Sequence, residues 1–491
     1  MNQAIVIGAG IGGIAASIRL AVQGYAVTVL EANNTFGGKI TQFTRNGYRF
    51  DKGPSLFTMP HLVDELFTLA GRHPRDYFRY QQLDVITQYF FADGTRLTAY
   101  REPEKFALEV EQKLKIPKEK VTAYLAKSAR MYDATAATFL HKSLHQVQTY
   151  LSPDVLKTFP VLPELGLTTT MHAANARQFK DKRLVQLLDR FATYNGSDPY
   201  QAPATLNLIP HLEHNLGAFY PEGGIYAIAQ SLVRLATELG VVFRYQEKVE
   251  EILTQDNRVT GVRTATQPFV PTQVVVSNMD VVPTYRKLLP HLKAPEKTLQ
   301  QPRSSSALIF YWGINRAFPE LHLHNIFFSK DYKSEFEHIF QHQTISPDPT
   351  VYVNITSKFS PADAPEASEN WFVMVNVPHN SGQNWADLVK VTRETVVRKL
   401  SKALNTDLNA YITCEQVWDP VGIEADTSSF AGALYGSSSN NRLAAFLRHP
   451  NFSGKVKGLF FCGGSVHPGG GIPLSLLSAK IVSSLVPQPG K

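Results

Sequence analysis

Cysteine is almost missing from this chain: Cys414 and Cys462 are the only two in 491 residues, far apart and in no CxxC pairing. That excludes a disulfide-stapled scaffold and a cysteine-held metal, and no metal site of another kind is expected. Thiols this sparse fit a reducing, cytoplasmic compartment. Long apolar runs are missing too, so no segment is expected to span a bilayer. No leader is expected ahead of the first strand, which begins within a few residues of Met1. Charge is thin, at 19% of residues against roughly 25% in ordinary globular domains. The balance of 49 basic to 42 acidic side chains leaves a formal +7, which favours an anionic membrane surface and is equally compatible with an ordinary solvated face. Lys118-Glu119-Lys120 and Lys180-Asp181-Lys182-Arg183 are short basic runs broken by acids. They read as solvated helix faces, and nucleic acid is not an expected partner. Aromatic side chains, by contrast, make up 11%, the signature of an apolar binding cavity or a membrane-facing patch.

The first strong pattern lies at the amino end. Residues 1–7 are a short apolar strand run, Gly8-Ala9-Gly10-Ile11-Gly12-Gly13 follows, and Ile14 to Val22 has the Ala-rich composition of a helix. Strand, glycine turn and helix in that order can hold a dinucleotide. Gly8 permits the tight turn, Gly10 lets the backbone approach a pyrophosphate, and Gly13 lets the helix lie close on the strand, so that the phosphates meet its amide end. A second strand from Tyr25 to Leu30 ends in Glu31, where an acid would hold a ribose hydroxyl. The plain alternative is a glycine-rich turn with an exposed Glu. No second GxGxxG unit is present, so reductases with a separate NAD(P)H site fit poorly.

Glu31-Ala32-Asn33-Asn34-Thr35-Phe36-Gly37-Gly38-Lys39-Ile40 and Tyr48-Arg49-Phe50-Asp51-Lys52-Gly53-Pro54-Ser55 resemble segments that pass beneath the FAD pyrophosphate and flavin in the amine oxidase and phytoene desaturase superfamily. The resemblance narrows the cofactor to FAD, with Gly12, Ala32, Gly38, Lys39, Gly53, Pro54 and Ser55 in its site and Val249 lining the adenine pocket. Strands are expected at 239–243, 248–252 and 274–278, the last ending in Asn278. At the far end Gly458 to Gly464 is a strand run closed by glycines, and Ser465-Val466-His467-Pro468-Gly469-Gly470-Gly471-Ile472-Pro473 turns into a helix. Pro473 suits a first helical position, and the positive end of that helix would stabilise charge on a reduced flavin. Gly464, Ser465, Gly471, Ile472 and Pro473 are therefore placed at the cofactor. His467, beside a Pro-Gly turn, reads as a structural hydrogen bonder rather than a catalytic group.

Together with FYPEGGIYAIAQSL at 219–232 and VVVSNMDVVPTY at 274–285, the run FFCGGSVHPGGGIPLSLLSAK is similar to bacterial carotenoid desaturases of the phytoene desaturase type. The likeness extends over nearly the whole chain. GGSVHPGGGIPL is closer to desaturases of hydroxylated or methoxylated acyclic ends, the hydroxycarotenoid 3,4-desaturase branch, than to phytoene desaturases proper. The resemblance implies an α/β fold: a Rossmann-like, amine-oxidase-like FAD-binding domain at 1–83, 217–285 and 426–491, interleaved with an α+β substrate domain at 84–216 and 286–425. The substrate part opens with a hairpin, Val85 to Phe91 and Thr95 to Tyr100 around Asp93-Gly94. Helical patterns follow at 105–115 and 118–132. Strands at 306–312, 350–355 and 371–376 are expected to form one cavity wall, with helices as the other. A segment at about 136–175, with Phe139, Val155, Phe159 and Leu162 among Lys142, Lys157 and several His, is the candidate for docking on the inner face of the cell membrane. A lid helix on the substrate domain is the alternative.

The implied chemistry is desaturation of an acyclic carotenoid end, of the 1-hydroxy or gamma-carotene type. Hydride passes to flavin N5, and oxygen or a membrane quinone is the final acceptor. No Ser/His/Asp or Cys/His constellation stands out. Asp198 and Glu222 are the candidate proton acceptors, each also readable as a turn residue. First-step phytoene desaturation, carotenoid isomerisation, a soluble amine oxidase and a flavin-free prenyl-chain escort protein are the alternatives.

Overall fold

The computed structural model describes residues 2–441 and 448–489; Met1 of the first strand run, 442–447 and 490–491 lie outside the described residues. Five strands form a parallel sheet in the order Leu459–Phe461, Val274–Ser277, Gln3–Ile7, Ala26–Leu30, Val242–Arg244. Most of their residues are Val, Ile, Leu or Phe because both faces are covered, one by helices and the other by an antiparallel ribbon and the turns that follow it. Helices Ile11–Val22 and Ile472–Leu485 pack against one another, and Tyr226–Glu238 packs on the first. The register aligns Ile7 with both Leu30 and Ser277, and Ser277 with Phe461. Gly8, Glu31, Asn278 and Cys462 consequently emerge at one edge of the sheet, where doubly wound folds bind ligands. The expected strand at 248–252 runs from Val249 to Gln255 and belongs to a three-stranded antiparallel ribbon instead of the parallel sheet.

A seven-stranded sheet carries the strands Ile412–Trp418, Ser306–Ile314, Glu369–Val377, Val351–Ile355, His324–Phe327, Val85–Phe90 and Arg96–Tyr100, in that order. The expected hairpin is its edge, turning at Gly94 (φ 87°) with Thr95 N–H donating to Asp93 Oδ1 at 2.9 Å. Strands His324–Phe327 and Ile412–Trp418 were not expected; the first is only four residues long. Alternation along each strand decides what the sheet faces. Leu308, Phe310, Trp312, Trp371, Val373, Val375, Val351 and Val353 pack on one side with Trp385, Val396 and Leu400 of helix Trp385–Ala403. Ala307, Ile309, Phe372, Met374 and Tyr352 point to the other side, toward a large cavity.

Helices Pro103–Leu114 and Lys118–Phe139 match the helical patterns, the second continuing past Tyr132 into the segment expected at a membrane. Beyond it come short helical turns at Val147–Tyr150, Pro153–Leu156 and Phe159–Val161. They leave apolar side chains in the open: Leu151 is 79% exposed, Val147 72%, Leu156 67% and Phe159 59%. Among the described residues no helix is long and apolar enough to cross a membrane.

Candidate functional site

One cavity of about 1190 Å³ runs from the open edge of the parallel sheet to the seven-stranded sheet. Its first half is built by glycines. Gly8 turns with φ 93°, and a Cβ on Gly13 would lie 2.1 Å from Gly8 O, so the helix sits on the turn at a distance only glycine allows. Gly12 packs as closely on the carboxy-terminal turn: a Cβ there would meet Asn278 Oδ1 at 2.6 Å and Gly463 Cα at 3.1 Å. The Asn278 side chain is thus wedged between the first and last glycine runs, with the Cys462 thiol donating to its Oδ1 at 3.6 Å.

Two helix amino ends meet here. Ile11–Val22 is capped by Gly10 and Ile472–Leu485 by Gly471; neither cap supplies a side-chain acceptor, and neither first turn holds an acid. Their first-turn amides and partial positive charge are left for an anionic ligand. At the end of the second strand the Glu31 carboxylate accepts from Ala9 N–H at 2.7 Å and Asn33 N–H at 2.9 Å. Both oxygens are thereby held at the cavity rim.

Of the residues expected from sequence, Gly8, Gly10, Gly12, Glu31, Ala32, Gly38, Lys39, Gly53, Pro54, Ser55, Val249, Asn278, Gly464, Ser465, Gly471, Ile472 and Pro473 line this cavity. Gly13 lies just behind it. Gly53 is needed where it is, because a Cβ would strike Lys39 O at 1.8 Å. Lys39 donates to Leu434 O at 2.8 Å; burial pulls its ammonium down to about 8, against the attraction of Asp280. Asp280 escaped the sequence reading although it follows Asn278 closely. It caps Val282 N–H at 2.9 Å and lines the same cavity, its carboxyl raised by burial.

Asp198 and Glu222 are placed elsewhere. Asp198 is buried away from the cavity, accepting from Tyr200 N–H at 2.8 Å and Gln201 Nε2 at 2.6 Å, which is the work of a turn. Glu222 is exposed in the turn before Gly223. His467 is also off the cavity, its Nε2 paired with Lys142 O at 3.0 Å, as a structural hydrogen bonder would be. No cluster of His, Cys, Asp and Glu suited to a metal occurs among the described residues.

The cradle fits a dinucleotide in three respects. Its backbone is stripped of Cβ atoms where phosphate would lie, two helix amino ends are unneutralised, and an acid stands at the rim of the second strand. The flavin-containing amine oxidoreductase family model matches residues 11–486. The chain belongs to that family. Its cofactor is a flavin, and it is an oxidoreductase. It is 50% identical over 488 residues, 99% of each chain, to a 1-hydroxycarotenoid 3,4-desaturase of Flavobacterium sp. (strain P99-3). It is 35% identical to a 4,4'-diapolycopene oxygenase of Methylomonas sp., covering 98% of this chain and 97% of that one. Cyclohexylamine oxidase from Brevibacterium oxydans IH-35A shares the fold, with a TM-score of 0.63 at 16% identity over 99% of this chain and 98% of that one.

The second half of the cavity changes character. Ile309, Ile326, Phe372 and Met374 give it an apolar side, and it also carries a polar wall that the sequence did not disclose. There the Arg190 guanidinium pairs with Glu213 at 2.8 Å and reaches Tyr89 OH at 2.9 Å, and Tyr194 OH donates to Glu213. Arg190 holds the Glu213 carboxyl below its ordinary range despite burial. Beside this pair, Ser55 Oγ donates to Tyr352 OH at 2.8 Å, and Tyr352 OH bonds His324 Nδ1 at 2.7 Å. The nearest sequence signal was Pro210-His211-Leu212-Glu213-His214, an acid between two His in an otherwise apolar stretch.

Proposed function

We propose that this flavoenzyme binds FAD and desaturates an acyclic carotenoid end, introducing the 3,4 double bond into a 1-hydroxylated substrate. The observation that carries the reading is the continuity of the cavity: the dinucleotide cradle opens directly onto a mostly apolar compartment that also carries a group of polar side chains. The name of the relative that is 50% identical supports the same substrate class. First-step phytoene desaturation, isomerisation and a flavin-free escort role are less well supported, since a polar terminus has no use for a wholly apolar chain end and the glycine cradle has no use without a dinucleotide.

Bound flavin would supply the hydride acceptor. The protein's own contribution is alignment and dryness. Ile309, Ile326, Phe372 and Met374 hold a polyene flat against the seven-stranded sheet and keep water from an allylic cation. The amide end of helix Ile472–Leu485 favours the negative charge that reduction brings. Electrons pass on to oxygen or a membrane quinone. Substrate is collected from the inner face of the cell membrane by the exposed apolar group Val147, Leu151, Leu156 and Phe159, which suits an interface better than water.

The test is incubation of FAD-loaded protein with liposomes carrying phytoene, a more desaturated acyclic carotene, or its 1-hydroxy derivative. A red-shifted product two hydrogens lighter, from the hydroxylated substrate, is expected. Product from phytoene alone, or an isomer of unchanged mass, would overturn the reading.

A further inference from the structure

The polar wall of the cavity contains a donor with nothing to donate to. His324 is 1% exposed, lines the cavity, and accepts at Nδ1 from Tyr352 OH (2.7 Å) and Asn354 Nδ2 (3.2 Å). The orientation of the Asn354 amide is set independently, because the same nitrogen donates to Leu323 O at 3.1 Å. With Nδ1 committed as an acceptor, the ring proton resides on Nε2. Nε2 is buried and has no hydrogen-bond partner among the described residues. A buried, unpaired N–H is costly, and one held so firmly in a ligand cavity is explained when the ligand brings the acceptor.

The position of this donor is informative. Ser55 follows Gly53-Pro54 on the cofactor side of the cavity, and its Oγ donates at 2.8 Å to the same Tyr352 hydroxyl that orients His324. The polar wall therefore abuts the cofactor end of the substrate compartment rather than its mouth. A hydroxyl on C1, separated by one carbon from a C3–C4 bond undergoing oxidation, has to be held close to the flavin. Glu213 completes the wall: its carboxylate accepts from Arg190 and Tyr89 at Oε1 and from Tyr194 at Oε2, which leaves Oε2 a lone pair for a further donor. It lies near enough to act on the charge of His324.

We infer that His324, oriented by Ser55 through Tyr352, donates its Nε2–H to the hydroxyl oxygen of the substrate end group, while Glu213 accepts a hydrogen bond from that hydroxyl. This pair sets the enzyme's preference for hydroxylated over unmodified ends. The inference rests on the carotenoid desaturase reading. Binding polarity across the cavity then runs from a buried polar end beside the cofactor cradle to an apolar polyene extending away from it. An end group without the hydroxyl leaves His324 Nε2 and part of Glu213 unpaired, and so is rejected.

The experiment compares kcat/KM for a 1-hydroxylated acyclic carotenoid and for the same polyene lacking the hydroxyl, in wild type, His324→Leu and Tyr352→Phe. Each protein is first checked for flavin content and cooperative melting. Wild type is expected to favour the hydroxylated substrate by about 10- to 100-fold or more. His324→Leu should lose most of that ratio, through a raised KM for the hydroxylated substrate. Tyr352→Phe removes a single oxygen and leaves Nδ1 with Asn354 alone, so it should lose part of the ratio. It keeps the test open if His324→Leu fails to fold. A ratio unchanged in a folded, flavin-loaded variant overturns the inference and leaves the desaturase reading intact. Flavin-loaded wild type that converts neither polyene overturns that reading, and the inference with it.

Discussion

Substitution of Gly13 by alanine separates two roles that the glycine turn combines. The added Cβ would stand 2.1 Å from Gly8 O and 3.2 Å from Asn278 Cβ. Gly8 O belongs to the backbone between the first strand and its helix, so no rotamer change relieves the contact. The start of helix Ile11–Val22 has to retreat by about 1.3 Å to restore an ordinary approach, at an overpacking cost of about 1–3 kcal/mol. That cost falls on the protein whether or not flavin is bound. Gly10 offers the contrast. Its φ of −71° suits any residue, and its Cβ would meet only the end of a side chain, Asn278 Nδ2 at 3.0 Å. Gly10→Ala therefore costs the flavin-free protein less than Gly13→Ala, needing only a shift of a few tenths of an ångström at the Asn278 amide, and acts chiefly by placing a methyl in the phosphate cradle. If FAD at 100 times its Kd adds about 2.7 kcal/mol of stability, a tenfold loss of affinity removes about 1.4 kcal/mol of it. Calorimetric melting of both variants, flavin-free and loaded, with flavin titrations by fluorescence quenching, reads the two effects separately. A Gly13→Ala protein whose flavin-free form melts like wild type would refute the close-packing argument. So would a Gly10→Ala protein destabilised equally without flavin.

Acid lability is expected next. Burial lowers His214, His324, His449 and His467 each to about 4, whereas in the unfolded chain they titrate near 6.5. The unfolded state thus binds more protons between pH 6.5 and 4. Stability is full above that window and falls as pH drops through it, by up to about 5 kcal/mol per pH unit if all four act together. His214, stacked on Phe106 at 4.6 Å with both ring nitrogens unpaired, contributes one such proton. His214→Phe should flatten the slope by about a quarter in melting curves from pH 4.5 to 7.5, and a flat wild-type profile refutes the assignment. Glutamate at Leu151 and Phe159, both more than half exposed, should weaken co-sedimentation with anionic liposomes at least tenfold, since each buries roughly 1.5–3 kcal/mol of apolar surface at an interface; unchanged sedimentation removes the membrane proposal. Arg190→Met strands the buried Glu213 carboxylate and should cost about 3–5 kcal/mol in chemical denaturation, with Glu213→Gln in the same chain recovering part of it.

The cofactor half of the site was legible because its determinants are local. A glycine turn between strand and helix, an acid at the end of the next strand, and Gly-Pro-Ser or Gly-Gly-Ile-Pro runs are contiguous words, and Gly12 and Gly53 stand where backbone must approach backbone. The polar wall was not legible. Ser55, Arg190, Glu213, His324 and Tyr352 come from separate elements, meet only through the topology of the seven-stranded sheet and the helices facing it, and share no spacing. Asp198 attracted a catalytic reading, yet it lies off the cavity with its carboxylate holding a turn through Tyr200 and Gln201. The strand His324–Phe327, with a polar His-Asn start, lacks the β-branched run that marks its neighbours. Its identity as a strand comes from pairing with Val351–Ile355 and Val85–Phe90.

The parallel sheet is closed by segments drawn from widely separated parts of the chain. Gln23 bonds Ser483 O across 460 residues, and Tyr25 bonds Pro487 O across 462. During synthesis the strand Gln3–Ile7 therefore waits, its edge unpaired, until Val274–Ser277 has been made, and the helix Ile472–Leu485 comes later still. Until then the nascent chain holds half a cradle, so flavin binding has to follow synthesis of the segment from Leu459 to Leu485. In the interval the exposed strand edge invites pairing with other chains. Recovery of active protein in a foreign host should then depend less on transcript level than on slow translation, chaperone capacity and riboflavin supply.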